Sequence, residues 1–266
     1  MPHVRFLRQM IKTVIPLAWR QELRRLAEAP FVRRIAYFGF TYYCPVCRSR
    51  LRRFLDYSES YRNVICPFCE VHPRHRLMWL YLRRKRLLST KTPLKLLHVA
   101  PEKTFVKAFA SAPNIDYLSA DLDSPLAMVR MDITQIKYPD DTFDAIYCSH
   151  VLEHIPDDRQ AMRELCRVLK PGGWAILQVP IADDLETTFE DWSVQTREER
   201  ARVFGQWDHV RWYGRDYQPR LENAGFLVTI DWFVKSFSES KADRLGLDRN
   251  EAIYFCRKPS SPENTV

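Results

Sequence analysis

The chain has 266 residues, 46% of them hydrophobic, and a net charge of +8 at pH 7; this is length for one large domain and one small one, with enough apolar side chains to bury a core. The longest apolar run near the N-terminus, TVIPLAW at 13–19, is far short of the ~20 residues that span a bilayer, and charged residues follow it at once, which excludes a transmembrane segment and argues against a secretory signal. The charge is uneven: residues 1–90 hold 19 Lys and Arg against 5 Asp and Glu, and residues 91–266 hold 22 against 28. A basic front and a mildly acidic back imply two units with different partners, unless the front is only a solvated arginine-rich surface.

Residues 1–40 form a first segment. In VRFLRQMIKTVIPLAWRQELRRL, Leu7, Met10, Ile11, Val14, Ile15 and Ala18 fall at helical spacing, with Arg5, Arg8 and Lys12 elsewhere on the wheel. The pattern predicts a basic amphipathic helix kinked at Pro16, either packed on its own protein or lying on an anionic membrane surface. The expected location is cytoplasmic, with the inner membrane face as the surface such a helix would touch.

Residues 41–90 form the second segment. Cys44 and Cys47 make one C-x-x-C, Cys66 and Cys69 another, with 18 residues between the pairs. The spacing predicts a structural zinc site, because two short pairs facing each other complete a tetrahedron of thiolates. A redox pair or an iron–sulfur cluster are the other readings of the cysteines, and His72 or His75 could replace one ligand. Arg48 and Glu70 stand where zinc knuckles often carry glycine. PRHRLMWLYLRRKRLL at 73–88 reads as a helix with a basic end, and LSTKTP at 88–93 as a linker.

Residues 91–258 alternate short apolar runs with helical patterns, which predicts a parallel sheet covered by helices. Strands are expected at 94–100, 116–123, 127–133, 143–149 and 174–180, followed by FLVTIDWF and EAIYFCRK. Helices are expected at 103–111, after DDRQ at 157–160 with PGG at 171–173 as its stop, and over YGRDYQPRLENAG with Gly225 as its cap. The tail 259–266 reads as disordered.

HVLEH at 150–154 matches the H-x-x-E-H pattern of one zinc-protease class. That pattern needs a long helix, and Pro156 would break one two residues later. The stretch reads better as the loop after the fourth strand. Ala100, Asp121, Asp132 and HVLEH then all lie at carboxyl ends of strands, where such sheets bind ligands.

The run FDAIYCSHVLEHIPDDRQAMRELCRVLKPGGWAILQVP resembles class I S-adenosylmethionine-dependent methyltransferases of the type 11 domain group. The zinc-ribbon front and FGQWDHVRWYGRDY at 204–217 resemble bacterial members met beside polysaccharide genes. The resemblance implies a Rossmann-like sheet, mostly parallel with its last strand antiparallel, S-adenosylmethionine as cofactor, and cofactor contacts at Ala100, Pro101, Glu102, Asp121, Leu122, Asp132, Ile133, Ser149 and His150. Asp121 would hold the ribose diol, Asp132 and Ile133 the adenine, Ser149 and His150 the methionine end. A carboxylate accepting such bonds contributes ~1.5–3 kcal/mol for each. One departure stands out: the family has a glycine-rich turn after the first strand, and here it is LHVAPEK, with Ala100 and Glu102 in place of glycines and His98 in place of the usual acid. Glu102 could instead bind the cofactor ammonium.

Methyl transfer from a sulfonium mainly needs a positioned acceptor, and an alcohol acceptor also needs a base. The insertion 181–213 carries Asp208, His209, Arg211 and Tyr213. His209 is the expected base, oriented by Asp208, with His150 as the second imidazole. The acceptor is expected to be a small molecule or a glycan sugar. The alternatives are methylation of RNA bases, with the basic front on phosphates, and a binding module without catalysis.

Overall fold

A computed structural model describes residues 16, 19, 30–59, 61–89 and 91–260. The expected amphipathic helix and most of the expected tail lie outside the described residues. The chain divides into two compact units, one formed by the front of the chain through Trp79 plus Ser238–Asp248, the other by Leu80–Phe237 plus Arg249 onward.

In the smaller unit a helix at Pro30–Tyr37 runs into strand β1 (Phe38–Cys44), which pairs antiparallel with β2 (Ser49–Leu51). Its core is small: Cys44, Leu51, Phe54, Cys66 and Val71 are buried, with Tyr42 and Phe68 packed against them. A core of this size needs a further tie. Part of it is Arg76, fully buried, whose guanidinium lies 4.1 Å from the Phe54 ring centre and donates to the Val64 and Val71 carbonyls at 2.9 Å each. A third carbonyl comes from far along the chain: Arg76 Nε donates to Gly246 O at 3.2 Å. Gly246 ends the helix Glu239–Leu245 at φ 61°, and a Cβ there would stand 2.5 Å from the Phe54 ring. Glycine is needed both for the left-handed turn and for the close approach. The sequence gives no sign that 238–248 belongs with the front of the chain.

The larger unit is a seven-stranded sheet in the order β10-β11-β7-β6-β3-β4-β5. Its strands are β3 (Leu94–Val99), β4 (Ile115–Asp121), β5 (Val129–Arg130), β6 (Phe143–Ser149), β7 (Leu169–Gln178), β10 (Leu227–Asp231) and β11 (Ile253–Arg257). All neighbours from β7 to β5 are parallel, and β11 runs antiparallel to both β7 and β10. The parallel part of the sheet is as the apolar runs predict, and the reversed last strand is as the resemblance implies. Central β6 is buried nearly throughout, as a parallel strand covered on both faces must be.

Two expectations need correction. The third strand shrinks from 127–133 to Val129–Arg130, because after the Met131 amide donates to Asp121 O at 2.9 Å, Asp132 begins a turn. PGG does not stop the preceding helix: that helix, Asp158–Val168, ends by itself, and β7 begins at Leu169. Pro171 and the two glycines instead form an irregularity inside the strand, where the register against β6 shifts between Phe143 and Ala145. Gly173 sits so close to Asp144 O that a Cβ would stand 2.9 Å from it, a fit suited to a bulge.

Candidate active site

The order β6-β3-β4 creates a switch point. After β3 the chain moves outward to β4 and β5, then returns to lay β6 on the other side of β3. Loops leaving adjacent β3 and β6 therefore part in opposite directions, opening a crevice at their carboxyl ends. The first residue beyond each strand is left-handed without being glycine: Ala100 at φ 50° and His150 at φ 56°. Each such residue costs about 1 kcal/mol, and such strain gathers at ligand-binding turns. Ala100 thus holds the conformation for which a glycine would be suited. The backbone is fixed there, since Ala100 N donates to Ala120 O at 2.8 Å and His150 N to Gln178 O at 2.8 Å.

Beneath the Ala100–Glu102 turn lies His98, fully buried, with Nδ1 3.0 Å from the Tyr117 hydroxyl. The Glu102 amide donates to its Nε2 at 3.4 Å, so the ring is the neutral Nδ1–H tautomer. Burial pushes its pKa down to about 4. In place of a charged acid, then, a neutral imidazole receives the turn amide. Glu102 caps the helix Lys103–Ala110 and accepts from the Tyr147 hydroxyl at 3.3 Å. Pro101 offers no amide.

Asp121 ends β4, and its Oδ1 accepts from the amides of Asp123 and Ser124 at 2.8 and 2.7 Å. These fix the carboxylate and leave Oδ2 for a ligand. Asp132 is held the same way by Thr134 N and Oγ1, at 2.8 and 2.7 Å, and Ile133 behind it is buried. A cavity of about 450 Å³ is lined by Leu122 and Asp132 with Met131, Gln135 and Tyr138. Of the expected cofactor contacts it includes only those two. Ser149 is buried at the end of β6.

HVLEH is a loop with one short 3-10 turn at Leu152–His154, as Pro156 implies. It brings together residues that the sequence keeps apart. Glu153 is 1% exposed, and its carboxylate, His154 and His209 place one donor atom each within 4.8 Å of one another. His150 Nδ1 stands 3.2 Å from Glu153 Oε1. Both Glu153 oxygens, His150 Nε2, His209 Nδ1 and Asp208 Oδ1 are buried without a hydrogen bond. Buried polar atoms usually have partners, so five orphans in one cluster point to a missing ligand. Burial holds the His209 pKa below its ordinary value, so this ring is neutral at pH 7.

The expected pairing of Asp208 with His209 is not what the structure shows. Asp208 Oδ2 lies 3.4 Å from His154 Nδ1, and the carboxylate nearest His209 is Glu153. Glu153 and His154 were legible only as parts of HVLEH.

Arg211 holds the insertion on this loop. It is buried and donates to the carbonyls of Leu152, Ile155 and Pro156, and to Glu190 Oε1 at 2.8 Å. Val210 N donates to Glu153 O at 3.0 Å, next to it. Tyr213 donates to Asp158 Oδ2 at 2.6 Å, and Arg220 reaches the same oxygen at 3.1 Å. Two short strands, β8 (Phe189–Glu190) and β9 (Arg211–Trp212), pair antiparallel to carry Arg211 and Glu190. No sequence signal marks Arg211 as buried.

In the smaller unit the four cysteines converge. Cys44 Sγ lies 3.6 Å from Cys69 Sγ, and Cys47 Sγ 3.6 Å from Cys66 Sγ. A zinc ion with bonds of ~2.3 Å sets tetrahedral sulfur edges near 3.8 Å, so the set fits one. Arg48 and Glu70, the positions of the absent glycines, are left-handed at φ 58° and 60°. His72 N donates to His75 Nδ1 at 3.0 Å, and neither ring joins the sulfur cluster. Hydrogen bonds from Cys44 pull the Cys47 and Cys66 thiols toward thiolate.

Residues 92–177 match the family described as Methyltransferase domain. The chain is similar over 110 residues to 27-O-demethylrifamycin SV methyltransferase of Amycolatopsis mediterranei, at 37% identity, covering 40% of this chain and 37% of that protein. Over 52 residues it is 44% identical to sterol 24-C-methyltransferase erg6 of Aspergillus fumigatus, covering 20% and 14%. The matched stretches thus span well under half the length of these relatives. An S-adenosylmethionine dependent methyltransferase from Mesorhizobium loti superposes with a TM-score of 0.47 at 17% identity, covering 68% of this chain and 98% of that one.

Proposed function

We propose that the chain is an S-adenosylmethionine-dependent methyltransferase acting on an oxygen of a small molecule or a glycan sugar. The observation that carries this reading is the switch-point crevice in a methyltransferase domain, with Ala100, Asp121 and His150 at the ends of neighbouring strands. Asp121 Oδ2 would accept from the ribose, Leu122, Asp132 and Ile133 border the adenine, and Ser149, His150 and the Ala100–Glu102 turn the methionine end. Glu102 is the carboxylate suited to the cofactor ammonium.

The acceptor proton would pass to the crevice imidazoles, His209 or His150, each of which keeps a buried ring nitrogen without a partner. Glu153 is the carboxylate between them, and Asp208 acts one step back by fixing His154. The oxygen then displaces the sulfonium in line, its lone pair forming the new bond to the methyl carbon while the carbon–sulfur pair returns to sulfur. The four cysteines, in the same proposal, hold a structural zinc, a closed sulfur shell with no open position for substrate. Among the described residues no helix is long and apolar enough to cross a membrane.

Calorimetric titration with S-adenosylmethionine tests the cofactor site. Micromolar binding, weakened roughly 10- to 100-fold in Asp121→Ala, is the expected result, the range set by charged hydrogen bonds. No binding by the folded chain would leave a module without catalysis. A second reading, RNA as acceptor, is favoured by the arginine-rich smaller unit, where Arg50 lies 5.6 Å from the exposed Phe40 ring. It predicts binding that collapses with salt.

A further inference from the structure

A buried carboxylate without a partner is costly, and in practice it is neutralised by a cation or a proton. Glu153 is 1% exposed and neither oxygen accepts a hydrogen bond, although His150 Nδ1 stands 3.2 Å from Oε1. Two imidazoles have donor atoms near it, and His154 has its other nitrogen held from behind. His154 Nδ1 faces the Asp208 carbonyl and carboxylate at 3.3 and 3.4 Å, leaving Nε2 as the free lone pair. His209 Nδ1 is likewise without a hydrogen bond, and its ring packs edge to face on His154. His154 is set the way metal-binding histidines are, one nitrogen fixed by an outer carboxylate or carbonyl and the other aimed at the ion.

We propose that Glu153, His154 and His209 form a site for a divalent transition-metal ion, distinct from the four-cysteine cluster. Their donor atoms lie within 4.8 Å of one another, and bonds of ~2.0–2.2 Å would require closure by about 1 Å. Two imidazoles and one carboxylate suit zinc, iron, nickel or manganese, and three protein ligands leave positions open. The rings already lie edge to face, 4.7 Å between centres, so neither must cross the other to close. Nothing in the sequence reading suggested this set. H-x-x-E-H implies His150 and His154 on one helix, whereas the third donor comes from 55 residues further on and His150 stays outside.

The inference rests on the methyltransferase reading only for its consequence. An acceptor hydroxyl at an open position of the ion would lose its proton more readily. With His209 engaged as a ligand, that proton would pass to His150.

Metal binding is tested on the full chain, loaded with zinc, dialysed and measured for ions per chain by mass spectrometry. Wild type should hold one more ion than Glu153→Gln, whatever the cysteines retain. Asp208→Asn, which keeps all three ligands, should weaken that extra ion 10- to 100-fold. If Glu153→Gln does not fold, Asp208→Asn decides. Equal metal content in wild type and Glu153→Gln, or unchanged affinity in Asp208→Asn, would overturn the site, and protonated His150 would then be the counter-charge of Glu153. Cofactor binding is read separately on the same samples. An extra ion without cofactor binding sinks the methyltransferase reading and leaves the metal site standing.

Discussion

The sulfur cluster and the crevice cluster are both gatherings of potential ligands, and they differ in what surrounds them. The four sulfurs are alike, come from two short knuckles and contact one another, with Ser49 adding a hydroxyl at 3.2 Å from Cys47. Nothing is left over. At the crevice, carboxylate and imidazoles come from two distant segments, and five buried polar atoms lack partners. A satisfied cluster holds structure, while an unsatisfied one held in place by its surroundings is ready for a ligand.

The sharpest way to break this contrast is to open the sulfur shell. With the proposed zinc bound, Cys69→Ser should abolish the fold of the smaller unit, because a structural zinc supplies ~10–16 kcal/mol of apparent binding energy to small domains. Hydrogen exchange would show residues 42–71 unprotected while β6 and β7 keep their protection. Retained protection would mean that the core around Phe54 suffices.

The crevice should answer differently, failing in geometry before it fails in folding. Arg211→Ala takes the buried cation from three carbonyls and leaves Glu190 only Arg220, 3.2 Å away, a loss of about 3–5 kcal/mol. Turnover should fall more than tenfold, and Arg211→Lys should not restore it, because one ammonium cannot reproduce the fork. Rescue by lysine would show that charge alone matters.

A smaller effect follows from His98. Its pKa is about 4 in the fold against an ordinary 6.5, so the unfolded chain takes up a proton first as pH falls. Stability from this group is fully present above pH 6.5 and is lost progressively toward pH 4, about 3 kcal/mol in all. Denaturant melts of His98→Gln between these values should show a flatter decline than wild type. Parallel declines would place the titration elsewhere.

The smallest change sharpens the picture of the turn. Ala100→Gly relieves a left-handed alanine and should stabilise the chain by about 1 kcal/mol in thermal melts, since the φ of 50° suits glycine. No gain would mean that the turn relaxes by itself.

What the sequence made legible follows from the range of its signals. Apolar runs such as FDAIYCS and LKLLHV mark β6 and β3 because burial on both faces leaves no room for polar residues. Two C-x-x-C pairs announce their own convergence. The left-handed conformations of Ala100, Arg48 and Glu70 could be anticipated only where glycine was expected and missing. The partner of His209 could not be read, since Asp208 is next in sequence and Glu153 is next in space. Arg76 and Arg211 look like the other arginines of a basic chain, and only packing sets them apart. PGG misled because its turn chemistry serves a strand bulge as well as a helix end.

The dependence of the smaller unit on Gly246 also sets an order in time. Phe54 and Arg76 emerge early in synthesis, but the segment that packs on them is made only after some 170 further residues. At ~5–20 residues per second the ribosome takes roughly 10–30 s to supply it. For that interval the cysteine knuckles stand without their last piece, and the Arg76 guanidinium waits for the carbonyl to which its Nε donates. Early capture of a metal ion would hold the nascent unit together until the rest arrives.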